Sequence, residues 1–226
     1  MAILGSGLLP TRLGFTGDPF FSNVVFGCHF ETLTDIRGHT ITGSAVISSD
    51  QKYFGNSSLF CNGSLFSYIG VEDPDNNFSV ETDENFTFDT FVRFPSLGTT
   101  NYFHPFIELG NPSSTGFRVG YFNASSPSIE LIIDNSPYYF SWAPSIDTWY
   151  YFSVERSRGA IYLKVDSTQI GSDIINPSPI VATLNNSIGA SILNISQRAI
   201  CYFDDMRLTK AYRNISEVPL VEFPEQ

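Results

Sequence analysis

An all-β fold, with antiparallel strands stacked as a sandwich or closed as a barrel, is predicted by three observations on this 226-residue chain. Apolar and polar residues alternate with a period of two from Val24 onward, as in strands with one face on a core. Turn-forming clusters divide these runs: Asn62-Gly63, Pro74-Asp75-Asn76, Gly110-Asn111-Pro112, Ser126-Pro127, Asn135-Ser136-Pro137 and Ser157-Arg158-Gly159. The composition holds 21 Phe and 11 Tyr but only 15% charged residues, which suits half-buried pleated surfaces better than helices.

Residues 1–22 show no regular period and read as an N-terminal arm preceding one domain over 23–226. Pro19, Phe20 and Phe21 close the arm and are candidate assembly contacts. Leaving such rings in water forgoes about 1.5–3 kcal/mol of burial each, so they should dock on their own domain or on a neighbour. The first strand-like run is 24–31, followed by 65–71. In 86–94, Phe86, Phe88, Thr90, Val92 and Phe94 share one face, opposite Thr87, Asp89, Phe91 and Arg93. Runs at 103–109 and 116–122 come next, and 128–134 then places Ile129, Leu131 and Ile133 inward. Runs at 149–155, 159–166 and 200–208 complete the series. No segment keeps a helical period over ten residues, and no repeat marks a propeller or solenoid.

The net charge of −11, from 12 Lys+Arg against 23 Asp+Glu, disfavours nucleic acid as a partner. No apolar stretch is long enough to span a membrane, and the start of the chain lacks the basic region of a signal peptide. Eight Asn-x-Ser/Thr sequons, from Asn56 to Asn214, then read as plain Asn/Ser richness. Cys28, Cys61 and Cys201 stand far apart in apolar runs and read as buried free thiols, as in a reducing cytoplasm. His29, His39 and His104 fall in no metal-binding spacing, and neither a nucleophile elbow nor a P-loop occurs. Catalysis is therefore not expected.

Four stretches in register resemble the laminin G-like jelly roll of the concanavalin A-like lectin/glucanase superfamily. They are 53–63 (YFGNSSLFCNG), 85–94 (NFTFDTFVRF), 147–155 (DTWYYFSVE) with 161–166 (IYLKVD), and 203–212 (FDDMRLTKAY). The resemblance covers about 23–224 and implies an antiparallel two-sheet jelly-roll sandwich with Trp149 in its core. The chain departs from the pattern at Cys61, Asn62, Phe91 and Ser167, where Phe, Asp, Trp and Gly are usual. Hydrolytic members of the superfamily carry Glu-x-Asp-x-(x)-Glu on one strand. The nearest match, Glu81-Thr82-Asp83-Glu84-Asn85-Phe86, lacks the last carboxylate and precedes a strand.

The lead-in Gly17–Val24 (GDPFFSNV) is similar to that of domains in virion proteins of tailed bacteriophages. It implies a tail-fibre, tail-tip or capsid-surface protein, assembled in the host cytoplasm with other virion subunits or as a homo-oligomer. Host attachment through a surface carbohydrate is the expected role. The alternatives are a purely structural subunit, or a secreted lectin or glycoside hydrolase. Tyr139 and Trp142, in an aromatic cluster between Pro137 and Pro144, are candidate sugar-stacking rings; the competing reading is a short strand with a buried face. Asp204 and Asp205 should face opposite ways on their strand, one of them a candidate calcium ligand. The competing reading pairs them with Arg207 or Lys210, or leaves them simply solvated. No cofactor is required, and calcium is the one candidate ion.

Overall fold

The computed structural model describes residues 17–182, 186–194 and 196–226. Its strands are β1 (Val24–Cys28), β2 (Ile41–Gly43), β3 (Val46–Ser48), β4 (Ser58–Asn62), β5 (Ile69–Val71), β6 (Phe86–Arg93), β7 (Tyr102–Leu109) and β8 (Phe117–Asn123). They continue with β9 (Ser128–Ile133), β10 (Ser136–Ser141), β11 (Trp149–Ser157), β12 (Ala160–Val165), β13 (Thr168–Gln169), β14 (Ile174–Ile175), β15 (Asn186–Ile188) and β16 (Ile200–Thr209). The first sheet runs β13-β12-β11-β6-β16-β4-β3, with β1 beside β16 and β14 beside β12. The second runs β10-β9-β8-β7-β15-β5-β2. All named pairs are antiparallel, and the two sheets form the predicted sandwich.

Three hairpins turn on two residues each. Asp134-Asn135, Arg158-Gly159 and Asp166-Ser167 all have positive φ at both positions, the type I′ geometry that matches strand twist. Ser167 therefore fills the left-handed position where the resembling pattern has Gly, at φ 62°.

The core lies between the sheets. Phe86, Phe88 and Val92 of β6 and Phe94 just after it lie in this core, as their alternation predicts. Phe106 of β7 meets Phe152 of β11 edge-on at 5.1 Å and Phe203 of β16 at 5.8 Å. Such edge-to-face contacts add to area burial because ring edges are positive and faces negative.

Two expectations fail for a local reason. Asp204 and Asp205 do not face opposite ways: the register of β16 shifts between Asp204 and Arg207, Asp205 takes φ 47°, and both carboxylates reach outer-face partners. A bulge inserts one residue and resets the alternation. Trp149 is not in the core. It shares the outer face of β11 with Tyr151 and lies edge-on to Tyr53 at 6.1 Å.

His104 is fully buried beside this core. The Ile200 N–H donates to its Nδ1 at 3.1 Å, and its Nε2 donates to the Leu97 carbonyl at 2.9 Å, so the ring sits as a neutral tautomer. Burial lowers its pKa to about 4, against a small opposing effect of the Leu97 carbonyl. A depressed imidazole pKa means the unfolded chain binds the proton first. Its stabilising effect is complete above about pH 6.5 and is lost as pH falls through 4, a change of about 3 kcal/mol. Urea melts of wild type and His104→Gln between pH 7 and 4 should show this slope in the wild type only. Parallel pH curves for the two proteins would refute the assignment.

Candidate functional site

The outer face of the first sheet is covered by its own chain. Tyr53 stacks on Phe91 at 3.8 Å, and Phe54 meets the same ring edge-on. Asp89 accepts from Tyr151 Oη at 2.9 Å and from Arg207 Nη2 at 2.7 Å, and Asp18 binds both Arg207 and Arg213. The C-terminal segment crosses the same face, with Phe223 under the Arg207 guanidinium at 4.9 Å.

The predicted arm contacts end here. Residues 1–16 lie outside the described residues. Phe20 lies against Arg213 at 5.1 Å and Phe21 against Arg37 at 4.3 Å, while Pro19 is exposed. Both rings thus pack on their own domain. The buried Asp18 belongs to the sandwich, so the described part of the arm, residues 17–22, is docked.

Asp204 and Asp205 pair with neither Arg207 nor Lys210. Asp204 accepts N–H bonds from Tyr53 (2.7 Å), Phe54 (3.1 Å) and Asp205 (2.9 Å). Burial raises its pKa to about 7 against the pull of those donors. Asp205 binds His29 Nδ1 and accepts the Phe223 N–H at 2.9 Å. Every oxygen of the two carboxylates is thus already in a hydrogen bond with a nitrogen of this chain. Among the described residues no cluster of three His, Cys, Asp or Glu has metal-binding geometry.

Beside them opens a cleft of about 770 Å³ between residues 29–36 and 222–225. His29 stacks on Phe223 at 4.1 Å, with Nε2 3.3 Å from the Glu225 carboxylate. Burial opposes charging of this imidazole. The Asp205 hydrogen bond and charge, with Glu222 and Glu225 behind them, outweigh burial and raise the pKa. Among the described residues the side-chain partners of His29 are the carboxylates of Asp205 and Glu225. Glu81 and Glu84 lie in the turn before β6, where the Glu84 carboxylate accepts the Glu81 N–H at 2.8 Å.

The second sheet carries the open surface. On β10, Tyr138 and Phe140 turn inward while Tyr139 turns out, 59% exposed. Trp142 follows the inward parity and packs against Phe94, Tyr121 and Tyr150 at 6.3, 5.8 and 5.1 Å. The two predicted stacking residues therefore do not share a surface: Tyr139 faces outward, and Trp142 packs against the core. A depression of about 440 Å³ lies at Tyr139, lined also by Phe122, residues 124–127, Ser128 and Ser141. Glu130 pairs in register with Tyr139. Partial burial, then the Glu130 charge, raise the Tyr139 phenol pKa. Arg118 sits farther along this face, held by Glu130 and, at 3.2 Å, by Gln197, and lies over Phe103 at 4.8 Å.

Sequence reasoning missed Phe122, Ser128, Glu130 and Ser141. The signal for three of them was present. A two-residue turn at Asp134-Asn135 fixes the register that sets Glu130 opposite Tyr139 and Ser128 opposite Ser141. His29 had no such signal, because its partner Asp205 is 176 positions away.

No family model matches the chain, and no curated protein matches it. Solved structures do. The botulinum neurotoxin serotype G binding domain superposes with a TM-score of 0.65 at 16% identity, over 84% of this chain and 48% of that one. The serotype D ligand-binding domain, in complex with N-acetylneuraminic acid, gives 0.66 at 11% identity, over 85% and 48%. The botulinum neurotoxin DC binding domain, in complex with rat synaptotagmin II, gives 0.62 at 12% identity, over 85% and 49%. The chain thus spans about half the length of these structures, and the likeness is one of fold.

Proposed function

We propose that the chain is a non-enzymatic binding module that presents the Tyr139 depression to neutral sugars of a surface glycan. One observation carries the reading: a tyrosine 59% exposed beside a depression that Ser128 and Ser141 also line, with Glu130 opposite it in register. A flat ring stacks on the apolar face of a pyranose, and oxygen acceptors beside it meet the sugar hydroxyls. The nearest cation, Arg118, is already committed to Glu130 and Gln197, and the lining contains no Lys or Arg. With a net charge of −11 around it, a carboxylated sugar meets repulsion without a counter-charge. Neutral pyranoses fit better. Solved neighbours of this fold described as binding domains support a binding role. Calcium is no part of this reading.

In this proposal the module serves host attachment in a virion, a setting supported by the Gly17–Val24 lead-in. A purely structural subunit is the second reading, favoured by the apolar side chains of Leu220 and Val221, 90% and 71% exposed. A glycan array separates the two. The labelled protein should bind neutral glycans in preference to sialylated ones. Tyr139→Ala should weaken that binding about tenfold, equivalent to roughly 1.4 kcal/mol. A blank array, or equal binding by both proteins, would leave the structural reading standing.

A further inference from the structure

Two of the three cysteines meet in the fold. Cys61 on β4 and Cys201 on β16 are direct cross-strand partners, although 140 positions separate them in the chain, from 61 to 201. Both are fully buried and both belong to the core between the sheets. Directly opposed residues on antiparallel strands project to the same face with Cα atoms about 4.5–5.5 Å apart. That lies within the roughly 4.4–6.8 Å a disulfide spans. The space beside them is made by a glycine: a Cβ on Gly189 would fall 2.4 Å from the Cys61 sulfur. Cys61 is also one of the positions where the chain departs from the pattern it resembles, which has Phe there. Cys28 stands apart, its thiol donating to the Thr34 carbonyl at 3.2 Å.

We infer that Cys61 and Cys201, thiols in this structure, are the two ends of a cross-strand disulfide that forms when the chain folds in the presence of a small-molecule disulfide. Burial pushes the Cys61 thiol up to about 12, and burial with the neighbouring Cys61 sulfur holds Cys201 well above its ordinary range. Thiolate is the attacking species, so the folded, reduced protein is inert and the exchange belongs to the folding chain. The thiolate of one cysteine attacks a sulfur of oxidised glutathione, breaking its S–S bond and releasing one glutathione thiolate. The thiolate of the other cysteine attacks the protein sulfur of the mixed disulfide, forming the Cys61–Cys201 bond and releasing the second. The two cysteines are oxidised, glutathione disulfide is reduced, and both thiol protons leave on glutathione.

The test is refolding of the full chain from urea in a reduced/oxidised glutathione buffer, followed by acid quench, maleimide alkylation and peptide mapping. One alkylated cysteine, Cys28, is expected, with a linked Cys61–Cys201 peptide, loss of two hydrogens from the intact mass and an upward shift of the urea midpoint over the reduced protein. Cys28→Ala should form the same bond, and Cys61→Ser should leave Cys201 alkylated. Three alkylated cysteines in the refolded wild type, bonds that include Cys28, or a linked protein that fails to fold would each overturn the inference.

Discussion

Phe106→Ala should destabilise the chain by about 3–5 kcal/mol, the largest loss expected from any single core truncation. Phe106 is fully buried and meets two strands of the first sheet and the residue after a third: Phe152 of β11, Phe203 of β16 and, at 6.1 Å, Phe94 just past β6. Its removal opens a void that none of these rings can fill, because each is held by its own strand ladder. The loss thus combines the transfer free energy of the ring with the cost of an unfilled cavity. Phe106→Leu keeps most of the volume and should cost less than half as much. Urea melts read both, with a lower midpoint at unchanged m value. A Phe106→Ala loss under about 1 kcal/mol would mean the sheets close over the gap, against the rigid packing argued here.

The sequence and the structure agree where period two is unbroken. Of the inward set that alternation names, Phe86, Phe88, Val92 and Phe94 join the hydrophobic core and Thr90 is buried as a polar residue, and the type I′ hairpin at Asp134-Asn135 falls within one residue of the predicted turn. Agreement ends where geometry departs from a flat ladder. The bulge at Asp205 turns two successive carboxylates outward, and nothing in the local pattern announces an extra residue. Trp149 looked like core by analogy with a resembling strand, yet its parity with Tyr151 puts it outside. Tyr139 and Trp142 are three apart, and strand parity alone sets them on opposite faces. The site residues that stayed hidden are those whose partners come from distant strands, and alternation carries no information about tertiary pairing.

The same limit applies to the outer face of the first sheet, where Asp89→Ala should cost about 3–5 kcal/mol. Alternation turns Asp89 away from the core, so a solvated carboxylate is the natural expectation. Instead it is buried and holds Arg207 through two bonds, at 2.7 and 3.2 Å, while Tyr151 donates to it at 2.9 Å. Arg207 in turn shares Asp18 with Arg213 and lies over Phe223. The network ties residues 17–23 and the C-terminal segment onto the sheet, and Asp89 is the anion at its centre. Without it, among the described residues Arg207 keeps one carboxylate partner, Asp18 at 3.3 Å, and the Tyr151 hydroxyl keeps no acceptor. A buried guanidinium short of counter-charge is the costly outcome. Replacing both members, as Asp89→Leu with Arg207→Met, should recover much of the loss, because no orphaned charge remains. If the double variant is as unstable as Asp89→Ala in urea, packing of the Arg207 stem rather than its charge carries the stability. The role assigned to Asp89 would then be wrong.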